Sequence, residues 1–200
     1  MVENKRGLLL VISGPSGVGK GTICQEFIKN NKDSVISVSA TTRAPREGEV
    51  HGENYYFYDE DKFLKMIEND ELLEWACFCG NYYGTPKQAV LDNLAKGKNV
   101  ILEIEVQGAL KVKSKFPEGV FIFVLPPNLA ELRARLEGRG TENSEVVEQR
   151  LQTAIGEIQQ SIKYNYFVVN NEINQATEDI EAIIKAEKTR VERCNFADNL

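Results

Sequence analysis

Leu8-Leu9-Leu10-Val11-Ile12-Ser13-Gly14-Pro15-Ser16-Gly17-Val18-Gly19-Lys20-Gly21-Thr22 is the stretch whose reading decides the fold. An unbroken apolar run, Leu8 to Ile12, feeds into a glycine-rich loop that ends in Gly-Lys just before a helical pattern begins. Gly14, Gly19 and Lys20 have the spacing of a phosphate-binding loop. Its glycines let the backbone fold round a phosphate with several N–H groups pointing inward. Lys20 adds a full charge, and the following helix presents its positive N-terminal end. Strand, loop, lysine and helix in this order assign a nucleotide cradle to Gly14, Pro15, Ser16, Gly17, Val18, Gly19, Lys20, Gly21 and Thr22.

One position departs from the strict motif. Gly21 stands where a Ser or Thr usually contacts Mg²⁺, and Thr22 comes one residue later. Water-mediated metal binding therefore suits this loop better than direct contact. The Gly-Lys-Gly-Thr ending resembles that of the nucleoside monophosphate kinases, which implies a second nucleotide site elsewhere in the chain.

The 200 residues suit one compact α/β unit with room for inserted sub-domains. A chain of this length buries about 70% of its unfolded surface and needs no disulfides to fold. Cys77-Phe78-Cys79 lacks the two-residue gap of a zinc or redox pair, and Cys24 and Cys194 are isolated, so reduced thiols are the reading. Lysine plus arginine total 24 against 30 acidic residues, a formal charge of −6, which argues against nonspecific nucleic-acid binding as the main task. Any anion site must be a local concentration of basic residues. The N-terminus has no signal-peptide architecture, and Leu8 to Ile12 is too short to span a bilayer. The chain reads as soluble and cytoplasmic, with neither nucleic acid nor membrane as partner.

Beyond the loop, Ile23, Phe27 and Ile28 recur at helical spacing as far as Asn30-Asn31. Ser34 to Pro86 has another character, rich in Ser, Thr, Gly and Tyr, with one helical piece around Asp61 to Asn69. It reads as an inserted small domain of short strands and loops, with Trp75 and Phe78 in its core. Core-type pattern resumes with a helix from Lys87 to Ala95, a strand from Val100 to Val106, a helical stretch, and a strand from Val120 to Leu125. Leu129, Leu132 and Leu136 predict a short helix that breaks at Gly138 and Gly140. Asn143-Ser144 then starts a long helix on which Val147, Leu151, Ala154, Ile155, Ile158 and Ile162 make one stripe. Tyr166 to Val169 is a last strand, and Ile180, Ile183, Ile184 and Val191 mark a final helix. Alternating strands and helices predict a parallel sheet covered on both faces. Its ligands bind outside the carboxyl ends of the strands, where Gly14, Glu103, Pro126 and Asn170 sit.

A second anion site is legible in Ser39-Ala40-Thr41-Thr42-Arg43-Ala44-Pro45-Arg46-Glu47-Gly48-Glu49. Pro45 pushes Ala44 towards extended geometry, so Arg43 and Arg46 can converge on one phosphate as forked donors. Tyr55 and Tyr83 can add hydroxyls; the same residues also fit a solvated basic turn. The company they keep changes the weight. Gly14 to Lys20, Thr41-Thr42-Arg43 through Glu49, Glu74-Trp75-Ala76, Gly80 to Gly84, Gln107-Gly108 and Gly138-Arg139-Gly140-Thr141-Glu142 together resemble the guanylate kinase family, from the phosphate loop to the last helix.

The resemblance implies a P-loop nucleotide kinase fold and ATP-dependent phosphorylation of GMP to GDP with Mg²⁺. It divides the chain into a core (1–35, 87–127 and 150–200), a GMP-binding insert (36–86) and a lid (128–149). By similarity, Ser39, Arg43, Arg46, Tyr55 and Tyr83 hold the GMP phosphate, Glu49 orients an arginine, and Glu74 and Thr85 read the base. The chemistry agrees: guanine presents N1–H and a 2-amino group side by side, an edge that a carboxylate accepts in paired fashion. Adenine lacks that edge, and sites built on such hydrogen bonds reject analogues by roughly 10⁴-fold. The bland alternative for Glu74 is a surface carboxylate beside a buried Trp75.

Similarity also makes Arg139 and Arg150 catalytic and places Arg135 and Asn171 near ATP, while Arg133 reads as a solvated helical face. Phosphoryl transfer needs two phosphates held in line and their oxygens neutralised; Lys20, Mg²⁺, Arg43, Arg139 and Arg150 supply that charge. Glu103 and Glu105 replace the Asp-x-Asp of many members, and strand alternation puts both on one face. Glu103 then contacts the guanylate or a metal-bound water, or both carboxylates merely line a wet cleft; direct Mg²⁺ contact from Thr22 or Glu103 stays open. His51 reads as a surface turn. Two rivals remain: a guanylate-kinase-like protein-binding module, which keeps the insert but loses the phosphate loop, and a kinase for another monophosphate. A monomer or small homo-oligomer is expected.

Overall fold

The computed structural model describes residues 6–78, 80–138 and 144–193, without the side chains of Phe78 and Ser144. In chain order the first elements are β1 (Leu9–Ser13), α1 (Lys20–Asn30), β2 (Ser34–Ile36), β3 (Ala40–Thr41), β4 (Tyr56–Phe57), α2 (Glu60–Glu68), β5 (Leu72–Phe78) and β6 (Asn81–Pro86). There follow α3 (Lys87–Ala95), β7 (Asn99–Glu103), α4 (Val106–Lys115), β8 (Val120–Leu125) and α5 (Leu129–Glu137). The last are α6 (Ser144–Gln159), β9 (Tyr166–Val169) and α7 (Ile173–Lys188).

Five strands pair in parallel in the order β2-β7-β1-β8-β9. The central β1 has helices over both faces, so its side chains are buried whichever way they point. Leu10 and Ile12 face α1 and α7 through Ile23, Phe27 and Ile180. Leu9 and Val11 face α3 and α4 through Val90, Leu94, Ala109 and Val112. That explains the unbroken apolar run: a strand buried on both sides has no polar alternation. The pairing register sets Ile12 opposite Glu103 and Ser13 opposite Phe123, bringing the strand ends to one edge.

A second sheet, β4-β3-β6-β5, is built within residues 40–86. It has its own small core of Ala40, Phe63, Met66 and Leu72. Its β5 packs on α4, with Leu73 buried among the core residues Ala109 and Val112. On the other side, α5 and α6 bury Leu132, Leu136, Val147, Leu151 and Ala154 against each other.

The structure departs from the sequence reading at several points. The strand predicted over Val100–Val106 ends at Glu103, and Val106 already opens α4. Val106, Ala109 and Val112 share a buried helical face, so burying them outweighs continuing the strand. Glu105 is therefore the residue before a helix and does not share a strand face with Glu103. Trp75 is 37% exposed rather than core, and the Lys111 ammonium lies 5.4 Å from the centre of its ring. Ile162 (87% exposed) and Val191 (72% exposed) sit in short 3₁₀ turns after their helices have ended, off the buried stripes assigned to them. Cys24 is buried, and burial pushes its thiol well above the usual range; Cys77 is exposed. Cys79 and Cys194 lie outside the described residues.

Candidate active site

The loop between β1 and α1 is shaped by its own backbone. Gly17 and Gly19 have φ of +83° and +94°, which side-chain-bearing residues rarely adopt. Both also lie against neighbours: a Cβ on Gly17 would meet Leu136 Cδ2 at 2.8 Å, and one on Gly19 would meet Asn170 Nδ2 at 2.5 Å. Lys20 is buried, and its ammonium donates to the carbonyls of Gly14 at 2.6 Å and Pro15 at 3.3 Å. The charge is thus held over the mouth of the loop at the start of α1. Thr22 is exposed one residue beyond Gly21.

Three polar contacts brace the loop from outside. Asn170, buried at the end of β9, donates its Nδ2 to the Val18 carbonyl at 2.7 Å. Arg135 on α5 donates to the same carbonyl at 3.2 Å and to the Asn170 carbonyl at 3.0 Å, with its Nε on Glu131 at 3.0 Å. Arg150 on α6 donates to Ser16 Oγ at 2.7 Å. Arg133 pairs with Glu148 across α5 and α6 at 2.6 Å on the exposed side. Asn171, expected near ATP, is exposed, and it is the neighbouring Asn170 at the strand end that reaches the loop. Arg139 lies outside the described residues, as do Gly140, Thr141, Glu142 and Asn143.

The second sheet assembles the other group. Arg43 donates to Glu49 Oε1 at 2.9 Å and to the Ala44 carbonyl at 2.8 Å, while its guanidinium lies 5.4 Å from the centre of the Tyr55 ring. Glu49 Oε2 also accepts the Arg46 backbone N–H at 2.7 Å. The bond from Arg43, and then that from Arg46, hold the Glu49 carboxyl below its usual range. Tyr55 and Tyr83 meet edge to face at 6.3 Å. Burial raises the Tyr55 phenol first, with Tyr83 adding to it and the charges of Glu49 and Glu103 contributing further. Glu103 at the end of β7 is therefore within electrostatic reach of the insert. Arg46 is exposed and Ser39 half-buried, with only its backbone carbonyl engaged, by Tyr56 N–H.

Glu74 on β5 is 7% exposed. Its Oε1 accepts from the buried Thr85 hydroxyl at 2.8 Å, leaving Oε2 without a partner among the described residues. Burial raises its carboxyl, against the bond from Thr85 and the charges of Lys111 and Lys115. Glu103 is exposed at the end of β7, yet the protein around it strips enough water to raise its carboxyl, with Lys20 opposing and Glu105 reinforcing. A Cβ on Gly21 would stand 3.3 Å from Glu103 Oε1, so the loop's missing side chain leaves that space to the carboxylate.

A backbone cradle with its lysine, together with a guanidinium, phenols and a buried carboxylate on the second sheet, has the chemistry to hold two anionic groups and read one polar ring. The guanylate kinase family model matches residues 6–187. The guanylate kinase of Caldanaerobacter subterraneus subsp. tengcongensis is 58% identical over 193 residues, 96% of this chain and 94% of its own. That of Halalkalibacterium halodurans is 56% identical over 192 residues, again 96% and 94%. Among solved structures, guanylate kinase from Anaplasma phagocytophilum superposes with a TM-score of 0.77 at 35% identity, covering 97% of this chain and 93% of that one.

Proposed function

The chain belongs to the guanylate kinase family and transfers the γ-phosphoryl group of ATP to GMP, giving ADP and GDP, and we propose the following division of labour for its residues. Gly14 to Thr22 cradle the ATP phosphates, with Arg135 and Asn170 bracing the loop. A trans peptide points its C=O and N–H in opposite directions. Donors that hold the Val18 carbonyl outward therefore turn the Gly19 N–H towards the hollow of the loop. Ser39, Arg43, Arg46, Tyr55 and Tyr83 take the GMP phosphate. Glu49 keeps Arg43 extended so that little side-chain entropy is lost on binding. Residues 36–86 act as the GMP-binding unit and 128–149 as a lid; its Arg139, with Arg150 just beyond it on α6, closes on the transferring group.

The observation that carries the reading is Glu74: a buried carboxylate with one oxygen fixed by Thr85 and the other without a partner among the described residues. Guanine's two adjacent donors match such a carboxylate. Family membership implies Mg²⁺ with ATP, and the hard carboxylate oxygens of Glu103 beside Gly21, with the Thr22 hydroxyl, suit metal-bound water. When bound, Mg²⁺ neutralises charge on the phosphate oxygens. Lys20 and the arginines do the same from the protein side. Among the described residues no helix is long and apolar enough to cross a membrane, and a cytoplasmic monomer or small homo-oligomer is the setting we assign.

The test is a coupled assay of ADP release from ATP and Mg²⁺ with a panel of nucleoside monophosphates. GMP should be the preferred acceptor, and Glu74→Ala should erode the preference for GMP over AMP. No GDP from the wild-type protein overturns the reading; an unchanged ratio in the variant removes Glu74 from base recognition.

A further inference from the structure

Gly108 lies in the first turn of α4 and is buried. A Cβ built on it would stand 3.0 Å from Glu74 Oε2 and 3.6 Å from Ile104 Cδ1. Contact at 3.0 Å is tighter than a methyl group tolerates, so something must yield. The helix itself is held on β5 just beyond Gly108. Ala109 and Val112 are buried with Leu73, and the Lys111 ammonium donates to the Trp75 carbonyl at 2.8 Å. With α4 so fastened, the group that gives way is the carboxylate.

We propose that Gly108 is a positioning residue for purine selection: its missing side chain sets where the Glu74 carboxylate stands. Given the base-reading role proposed for Glu74, only a residue without Cβ lets α4 pack directly behind Oε2. The carboxylate then rests between the helix on one side and the Thr85 hydroxyl at 2.8 Å on the other. A methyl at 108 drives Oε2 outward by a few tenths of an ångström and tilts Oε1 off Thr85. Paired acceptance of two donors is sensitive to such a tilt, because both bonds must stay near-linear together.

The experiment is steady-state kinetics and thermal melting of Gly108→Ala, Glu74→Ala and the double variant, with GMP and AMP as acceptors. In Gly108→Ala, KM for GMP rises and the GMP-over-AMP ratio falls, each by about tenfold, while kcat and the KM for ATP stay within about twofold. Melting does not drop in parallel, since alanine is the better helix former. In the Glu74→Ala background the same change is silent, there being no carboxylate to displace. An unchanged KM and ratio in Gly108→Ala, or an equal loss in both backgrounds, overturns the role of Gly108. If Gly108→Ala fails to fold, a folded double variant supports the contact with Glu74, and an unfolded one overturns it. An unaltered ratio in Glu74→Ala alone removes the base-reading role and this inference with it. That result is distinct from a normal Glu74→Ala beside an indifferent Gly108→Ala.

Discussion

Asn170→Ala separates bracing of the phosphate loop from ordinary packing. Asn170 is 5% exposed, and its Nδ2 donates to the Val18 carbonyl at 2.7 Å. Without it, that carbonyl keeps, among the described residues, Arg135 Nη1 at 3.2 Å. Loss of one buried hydrogen-bond partner costs about 1–3 kcal/mol. For a chain of this size that is a fall in melting temperature of roughly 2–12 °C. The larger consequence falls on ATP. Gly19 holds a φ of +94° that its neighbours impose, and a freer Val18–Gly19 peptide no longer presents its N–H in place. A hydrogen bond to a charged group is worth about 1.5–3 kcal/mol, or roughly 10- to 150-fold in affinity. Equilibrium titrations with a non-hydrolysable ATP analogue and, separately, with GMP read the two effects apart. ATP binding should weaken by that factor and GMP binding by less than about twofold. Asn170→Asp, isosteric but lacking the donor and adding negative charge against the carbonyl, should weaken ATP binding at least as much as the alanine variant. A lower melting temperature with unchanged ATP affinity would refute the reasoning and leave Asn170 as packing.

Lys20→Met removes the ammonium while keeping most of the buried stem, so turnover should fall by about 10³-fold with the folded state retained by circular dichroism; near wild-type rates would exclude its role. Glu74 gives a pH signature of defined sign. Burial raises its carboxyl, so between the unfolded and folded pKa values the folded protein holds the extra proton. Stability from this group is therefore present below the unfolded value and lost as pH rises through the folded one. Glu74→Gln should melt higher than wild type at pH 8 and lose that advantage in acid, measured by calorimetry, while its GMP affinity is reduced throughout. Equal melting of the two proteins at every pH would contradict it.

How far the site could be read ahead of the structure follows from where each signal resides. The strand, loop and helix from Leu9 to Asn30 are written in local terms: an apolar run, glycines where positive φ is needed, a lysine at the helix start. The limits of β8, β9 and α3 were legible for the same reason, since proline, glycine or a change of period marks their ends. The end of β7 was not legible. Alternation in Glu103-Ile104-Glu105 continues a strand on paper, and only the packing of Val106, Ala109 and Val112 turns the chain into α4. Ile162 and Val191 extended their stripes on paper too, but the helices had stopped. Trp75 misled because an aromatic residue in an apolar strand looks like core, whereas it stands partly exposed beside the Lys111 ammonium.

By itself, the order of residues determined that a glycine-rich loop and a lysine join the first strand to the first helix, and it gave reason to expect a second anion site near Arg43 and Arg46. Those are matters of backbone geometry and charge within a few neighbours. Only the folded chain decided that Glu74 is buried against Thr85, that Gly108 stands behind it, and that Asn170 reaches back 152 residues to Val18. These contacts join segments far apart in sequence. Whether a polar group is desolvated, and by what it is held, is a property of the packed neighbours and not of the residue.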